Sequence, residues 1–441
     1  MANTLTNLIP SVYAALDVVS RELTAFIPGV NRDFKADQVA QNQTLYVPVA
    51  PANTTSNITP AMTVTAASDQ TIGTKSVTIS NFKVASFGYT GEEAYSLDQG
   101  PGAGSVQQDQ IEQCIRALAN EMELAIWTAA YKAASRAYGT AGTTPFDSTN
   151  KLAFTANLKK ILDDNGAPMG NRSLVIDTTA GAALRSLTQL TNVNEAGSSM
   201  TLRDGELLNV HGFSIKESAQ VTTATAGTGA SYQTNNASGY AIGDTTIALD
   251  TGSGTILAGD VITFTGDTNK YVVTTALSGG SLTIAAPGLR KALADNVACT
   301  VAATSTRNVA FSRNAILLAA RLPKAGAQDL AIDRQVITDP RTGLSFELAM
   351  YPGYRMNKVE VAIAYGVSVI KPEHSAILLA ARLPKAGAQD LAIDRQVITD
   401  PRTGLSFELA MYPGYRMNKV EVAIAYGVSV VKPEHSAILL G

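Results

Sequence analysis

The sequence predicts an α+β chain with a separate all-β segment set into it. Three observations predict this. Residues Ser105 to Tyr138 carry one long helical stripe. Shorter stretches on either side alternate with a period of two. Composition also changes near Val221, where Thr, Gly, Ala and Ser take over until about Thr306.

The elements follow in order. Val12, Leu16, Val19, Leu23 and Phe26 recur at helical spacing, so Pro10 to Phe26 reads as an amphipathic helix that Pro28-Gly29 stops. Leu45, Val47 and Val49 alternate, as do Val77 and Ile79, then Phe82 and Val84 after a phase slip near Asn81. Two strands joined by the polar stretch Pro51 to Ser68 read as an extended arm. In the long helix, Ser105 and Gln108 read as a capping box. Ile111, Ile115, Leu118, Met122, Ala125, Ala129 and Ala133 form its apolar stripe, and Gly139 its stop. Phe154 to Leu162 reads as a helix closed by Asn165-Gly166, Ser173 to Ile176 as a buried strand, and Thr179 to Leu187 as helix again. Within Val221 to Thr306, the runs Ile256-Leu257, Val261 to Phe264, Tyr271 to Val273 and Leu282 to Ile284 read as strands of a small barrel. No basic residue precedes Lys270 in that region. Leu344 to Met350 and Val359 to Val369 read as strands linked by Tyr351-Pro352-Gly353-Tyr354.

Composition narrows the function. Of 441 residues, 45% are hydrophobic, which supports a folded core, and only 16% are charged. Lys plus Arg number 34 against 37 Asp plus Glu, a formal net charge of -3, which argues against a dedicated nucleic-acid binder. The N-terminus has no signal-peptide pattern, and no apolar run is long enough to span a bilayer. Cys114 and Cys299 make no disulfide framework and read as small core hydrophobes. No Cys-x-x-Cys exists, so no zinc site is expected. His211, in a turn before Gly212-Phe213, has Glu217 as its nearest candidate partner but no catalytic signature. His374 reads as a surface or interface residue, and His435 is its copy. The neighbours Glu92-Glu93 and Asp163-Asp164 read as a turn and a solvated helix end. Gln99 to Gly104 lacks the lysine of a phosphate loop and reads as a turn. Arg185, Arg203, Arg321, Lys324, Arg334 and Arg341 are scattered bases that suit ion pairs between subunits or contact with packaged nucleic acid. No catalytic, cofactor-binding or metal-binding residue is assigned.

Residues Ala315–Leu379 recur as Ala376–Leu440 at an offset of 61, with Ile370 against Val431 the single difference. Working repeats diverge where packing does not hold them. Near-identity points to a duplication too recent to have diverged, or to a slip in sequence assembly between matching Ala-Ile-Leu-Leu stretches.

The order of these elements resembles the major capsid proteins of tailed bacteriophages, with the Hong Kong 97-type fold. The strand through His211-Gly212-Phe213-Ser214-Ile215 and the closing run from Gly343-Leu344-Ser345-Phe346 through Tyr365-Gly366-Val367 to Lys371-Pro372-Glu373 carry the resemblance. Within that group it is similar to short-tailed-phage coat proteins with an inserted barrel, the I-domain. The resemblance implies an N-arm at 1–40, an E-loop at 41–90 and a peripheral domain with its spine helix at 91–150. It implies an axial domain beginning at 151–220, an I-domain at 221–306 and completion of the fold at 307–375. Residues 376–441, a near-identical tandem copy of 315–379, depart from that pattern, and the resemblance implies that one copy is surplus. It further implies self-assembly as pentamers and hexamers, a scaffolding protein and portal, non-specific contact with enclosed double-stranded DNA, no membrane, and residence in a virion assembled in the host cytoplasm. The rival readings are a β-rich surface adhesin and an enzyme built on His211.

Overall fold

The computed structural model describes residues 22–39, 41–49, 72–98, 103–147, 152–192, 194, 205, 207, 209–326, 329–381, 394–399, 406–414 and 417–423. The chain forms two compact units, residues 1–383 and 384–441. In the first, a short helix α1 (Phe26–Gly29) leads to β1 (Asn31–Val39), β2 (Gln43–Val49), β3 (Gly73–Ile79) and β4 (Asn81–Thr90). Helices α2 (Gly91–Asp98) and α3 (Ala103–Ala133) follow, then β5 (Arg136–Tyr138). Next come α4 (Ala153–Asp164), β6 (Arg172–Ile176), α5 (Thr178–Arg185), α6 (Thr188–Thr191), β7 (Phe213–Glu217) and β8 (Thr223–Ala224). Six short strands form the inserted region: β9 (Tyr232–Thr234), β10 (Thr246–Asp250), β11 (Val261–Phe264), β12 (Lys270–Ser278), β13 (Ser281–Ile284) and β14 (Ala298–Val301). The unit closes with β15 (Ser305–Ser312), β16 (Ile316–Pro323), β17 (Asp333–Thr338), β18 (Ser345–Gly353), β19 (Met356–Val369) and β20 (Ser375–Leu379). The second unit contains β21 (Asp394–Thr399), β22 (Ser406–Gly414) and β23 (Met417–Ala423), an antiparallel meander.

The α+β expectation holds, and the insertion is a closed barrel. Strands β11, β14, β9, β10, β13 and β12 pair in that order, and β11 pairs back onto β12. Closure leaves no free edge to template wrong pairings. Ile247, Ile262, Phe264, Tyr271, Val273, Leu282 and Ile284 fill its interior. Ile256-Leu257, expected as a strand, is instead a loop. The Asp260 carboxylate accepts the Leu257 and Gly227 backbone N–H groups and holds that loop against the barrel entrance.

The barrel is continuous with the body. Strand β12 pairs with β5, and the sheet runs on through β20, β15, β6 and β7. Helices α4, α5 and α6 cover this part. Phe154, Leu158 and Leu162 pack with Leu174, Ile176, Leu184 and Phe213. Asp177 sets the start of α5 by accepting the Thr179 and Ala180 N–H groups at 3.1 and 3.2 Å.

A second sheet runs β1-β16-β19-β18-β17, and β4 also pairs with β19. Both β18 and β4 pair with residues 356–362, so they lie on opposite edges of β19. The turn after β18 is Tyr354-Arg355, later than expected, because Gly353 still pairs with Met356 and Arg355 takes a φ of 55°. Helix α3 packs on this sheet. It spans 31 residues, roughly 46 Å. It ends at Ala133, short of the expected Tyr138, because Arg136–Tyr138 is drawn into pairing with β12 and β20. Gly139 therefore ends a strand, and an added Cβ there would sit 2.9 Å from the Leu379 carbonyl oxygen. The buried stripe is Ile115, Leu118, Met122, Ile126 and Ala130, joined by Trp127 and Ala134. From Ala125 onward it has rotated one residue from the expected one, because the larger Ile126 and Trp127 take the core side. Ser105 lies inside the helix.

The Pro10–Phe26 helix lies largely outside the described residues. Its last positions, 22–25, are not helical, and α1 starts at Phe26, so Pro28-Gly29 lie within a helical turn. Among the described residues no helix is long and apolar enough to cross a membrane.

Candidate functional site

The reactive residues resolve into structural roles. His211-Gly212 forms a two-residue turn closed by reciprocal bonds between Val210 and Phe213, with φ of 50° and 82°. Both angles are positive, which identifies a type I′ hairpin. The His211 Nδ1 lies 2.7 Å from the Thr155 hydroxyl, which donates its one proton to the Leu152 carbonyl. The Nδ1 is therefore the donor. Glu217 is not its partner: both carboxylate oxygens take Arg185, at 2.7 and 2.5 Å. The proposed His–Glu pair does not form, because β7 and α5 hold Glu217 to the arginine.

Cys299 is buried in the barrel, and burial pushes its thiol up to about 12. Burial likewise raises Cys114, which packs against the core from α3. Neither thiol is activated as a nucleophile. Burial lowers His374, which is half-buried. Its copy His435 lies outside the described residues, as does Arg203. Asp163 bridges Lys159 and Arg172, while Asp164 meets Arg136. Glu93 accepts the Thr90 N–H at 2.9 Å and Thr90 accepts that of Glu93, a capping box that opens α2. Arg185, Arg321 and Arg334 pair within the chain, with Glu217, Asp33 and Glu347. Position in the sequence does not decide what these bases meet, and these three meet carboxylates of their own chain. Among the described residues no group of three His, Cys, Asp or Glu side chains is arranged to hold a metal ion.

What the fold builds instead is a set of joints and open surfaces. The first joint clamps residues 22–27 to α3. Glu123 is fully buried on the helix and accepts the Ala25, Phe26 and Ile27 N–H groups and the Ser218 hydroxyl. Burial raises its carboxyl, and the four donors oppose that without reversing it. Two turns earlier, Arg116 holds Glu22 down to about 2 through charge-assisted hydrogen bonds, with Asn120 adding one at 2.7 Å. The sequence carried a signal for this joint: Glu123 is an acid within a run whose neighbours Met122, Ile126 and Trp127 are all core.

The second joint fixes the barrel to the body. Arg136 Nη2 reaches the Ile161 carbonyl, Asp164 and Asn165, and its Nη1 reaches Asn269 of the barrel. Arg290 of the barrel meets Asn165 at 2.8 Å. The Arg307 guanidinium is fully buried and has no hydrogen-bond partner among the described residues. Burial pulls it down to about 10, against the opposing pull of Asp260.

The open surfaces are a ribbon and a groove. Strands β2 and β3 form a two-stranded sheet, apart from both large ones. At its base Val77 and Ile79 are buried against Leu317, Ala319 and Ala364. Further out, Gly73 to Ser76 are exposed, with Tyr46 and Ile72 at 70% and 66%. A groove of about 1250 Å³ lies where β4, α2 and the β18–β19 hairpin converge, lined by Tyr89, Tyr95, Ile111, Leu348, Met350 and Met356. At its rim Tyr354 is 93% exposed. Among the described residues the polar side chains singled out by the sequence thus serve as joints, while the ribbon and the groove leave Tyr46, Ile72 and Tyr354 open to solvent.

No known family profile matches the chain, and no curated protein matches it. Among solved structures it is similar to one from Mycobacterium phage Che8, with 15% identity over 85% of this chain and 98% of that one, at a TM-score of 0.44. It is also similar to the capsid structure of the cyanophage P-SCSP1u, with 15% identity over 87% and 96% of the two chains, at a TM-score of 0.43. The asymmetric unit of the bacteriophage PhiM1 mature capsid gives 15% identity over 85% and 92%, at a TM-score of 0.43.

Proposed function

We propose that this chain is the major capsid protein of a tailed bacteriophage, which self-assembles into an icosahedral shell around double-stranded DNA. The observation that carries the reading is the ribbon. A two-stranded sheet is marginal alone in water, and here one face packs through Leu45, Val47, Val49, Val77 and Ile79 while Tyr46 and Ile72 face solvent. Such an element is stabilised when it lies on another subunit and adds contacts or strand pairing there. Many weak contacts repeated by symmetry then give a durable shell.

In this reading residues 1–40 are the N-arm, 41–90 the E-loop, 91–150 the peripheral domain with α3 as spine, and 151–220 with 307–375 the axial domain and completion of the fold. The barrel, at 221–306, is the I-domain. The subunits form pentamers and hexamers, first as a procapsid with a scaffolding protein and a portal in the host cytoplasm, then as the virion. DNA contact is non-specific and electrostatic. The chain is a structural protein with no catalytic role.

The test is negative-stain electron microscopy of the purified chain, with and without residues 380–440, alone and with a scaffolding partner. Shells or capsomer-like rings are expected. If every preparation stays monomeric or dimeric, the reading fails.

A further inference from the structure

Residues 333–362 and 394–423 are identical position by position. The identity extends to pairing. Asp333↔Met350 recurs as Asp394↔Met411, and Gly353↔Met356 as Gly414↔Met417. The surroundings differ. In the first copy β4 occupies the outer edge of β19, from Met356↔Thr90 to Ala362↔Val84. Among the described residues β23 pairs with β22 alone. One chain thus carries two meanders that fit a single β4.

What β4 recognises is a backbone ladder and a row of side chains, and both are the same in the two meanders. The one difference between the repeats, Ile370 against Val431, falls outside them. Seating either meander on β4 therefore gives the same contacts, and the connection to the rest of the chain decides which is seated. Within one chain the first copy has the advantage. It follows β16 after nine residues, 324–332, whereas the second comes 61 positions later. Each doubling of a flexible connection lowers the effective concentration about threefold. Between chains held side by side that advantage shrinks, because a tethered neighbour is presented at effective concentrations on the order of millimolar. Exchange then loses no contact, which is the condition for domain swapping.

We propose that the second copy is an exchange module. In an assembly, β21–β23 of one chain replaces β17, β18 and the first half of β19 on β4 of a second copy of this chain, and so links the two. The proposal does not rest on the shell reading, since any assembly that holds chains side by side is enough.

Ser86 and Glu360 face each other across β4 and β19, and Glu421 is the repeat of Glu360. The Ser86→Cys/Glu421→Cys variant, made as an equal mixture of isotopically light and heavy full-length chains, is oxidised dilute and concentrated, and the linked peptides are read by mass spectrometry. Mixed-label peptides joining positions 86 and 421 are expected, roughly tenfold more abundant in the concentrated sample. The Ser86→Cys/Glu360→Cys variant reports the resident pairing and shows that β4 is folded. The Val84→Cys/Ala423→Cys variant repeats the test two residues along the ladder. The proposal is overturned if the resident pair closes and both exchange pairs stay open. It is equally overturned if the exchange peptides carry a single label, which places the second meander in its own chain.

Discussion

The two copies of the meander are one sequence in two settings. Both form three strands with the same register, out to Gly353↔Met356 in the first and Gly414↔Met417 in the second. Among the described residues only the first is built into a larger sheet, with β16 and β4 added along β19 and α3 packed nearby. The same local pattern thus gives the same strand pairing in both settings. What the setting adds is a core and therefore stability. The comparison predicts that one substitution made in both copies will have unequal effects.

The largest expected difference is at Phe346, which is fully buried in the core that joins α3 to the sheet. Phe346→Ala should cost about 3–5 kcal/mol in thermal or denaturant unfolding. The same change at its repeat, Phe407→Ala, should leave the main transition within about 0.5 kcal/mol, because the two sites lie in separate compact units. Equal and small effects at both sites would break the comparison, since they would mean the copies substitute freely for each other within one chain.

The α3 clamp is part of the setting that only the first unit has. Glu123→Ala leaves three backbone donors without their acceptor and should cost about 2–4 kcal/mol. The pH dependence has a definite sign. The folded-state pKa of Glu123 is raised by burial. As pH rises from the ordinary carboxylate value of 4.5 toward the raised one, the unfolded chain has lost its proton and the folded chain has kept it, so stability falls across that window. Glu22 acts oppositely: its pKa is held at about 2, so its contribution is present above 4.5 and is lost as pH falls toward 2. Glu123→Gln should flatten the first slope and leave the second, as followed by denaturation midpoints across pH.

A smaller effect is expected at Gly366, in the second half of β19. A Cβ there would lie 2.3 Å from the Thr78 carbonyl oxygen at the base of the ribbon. Gly366→Ala should cost about 1–3 kcal/mol through forced displacement and should speed proteolysis of the β2–β3 ribbon. Gly427→Ala, in the second copy, serves as the matched control, and an equal effect there would count against the comparison.

How far the sequence could be read follows the same division between local and non-local signals. Helices α3, α4 and α5 and strand β6 are legible because their periodicity is local, although both expected ends of α3 lie elsewhere. The barrel was legible as a composition shift, although its closure, β11 against β12, depends on residues brought together only by the fold. Strand β1 was missed because its pairing is parallel, with β16 nearly 290 residues away, and residues 31–39 carry no clean alternation. The capping box at Thr90 and Glu93 was present as Thr-x-x-Glu but was read as a turn. The Arg136–Asn165–Arg290 joint joins three segments that nothing in the sequence connects. The structural role expected of His211 holds, while the partner of Glu217, Arg185, lies 32 positions away and is met only in space.

The finest test of the comparison removes one copy at a time. Deleting residues 315–375 joins Asn314 to Ala376, and deleting residues 376–436 joins Ser375 to Ala437. The two shortened chains are then identical except that one keeps Val431 where the other keeps Ile370. Ile370 is buried with Val39, Val77 and Ile79 beneath the ribbon, so its loss of one methylene should cost about 0.5–1.5 kcal/mol. If the setting confers the stability and the copies are interchangeable parts, both chains fold with the full sheet and barrel and differ by that amount alone. A gap larger than about 3 kcal/mol has no source in one methylene. It would show that position 370 carries more of the ribbon's seat than its volume accounts for, and that the duplicated segment was no longer interchangeable once that residue had changed.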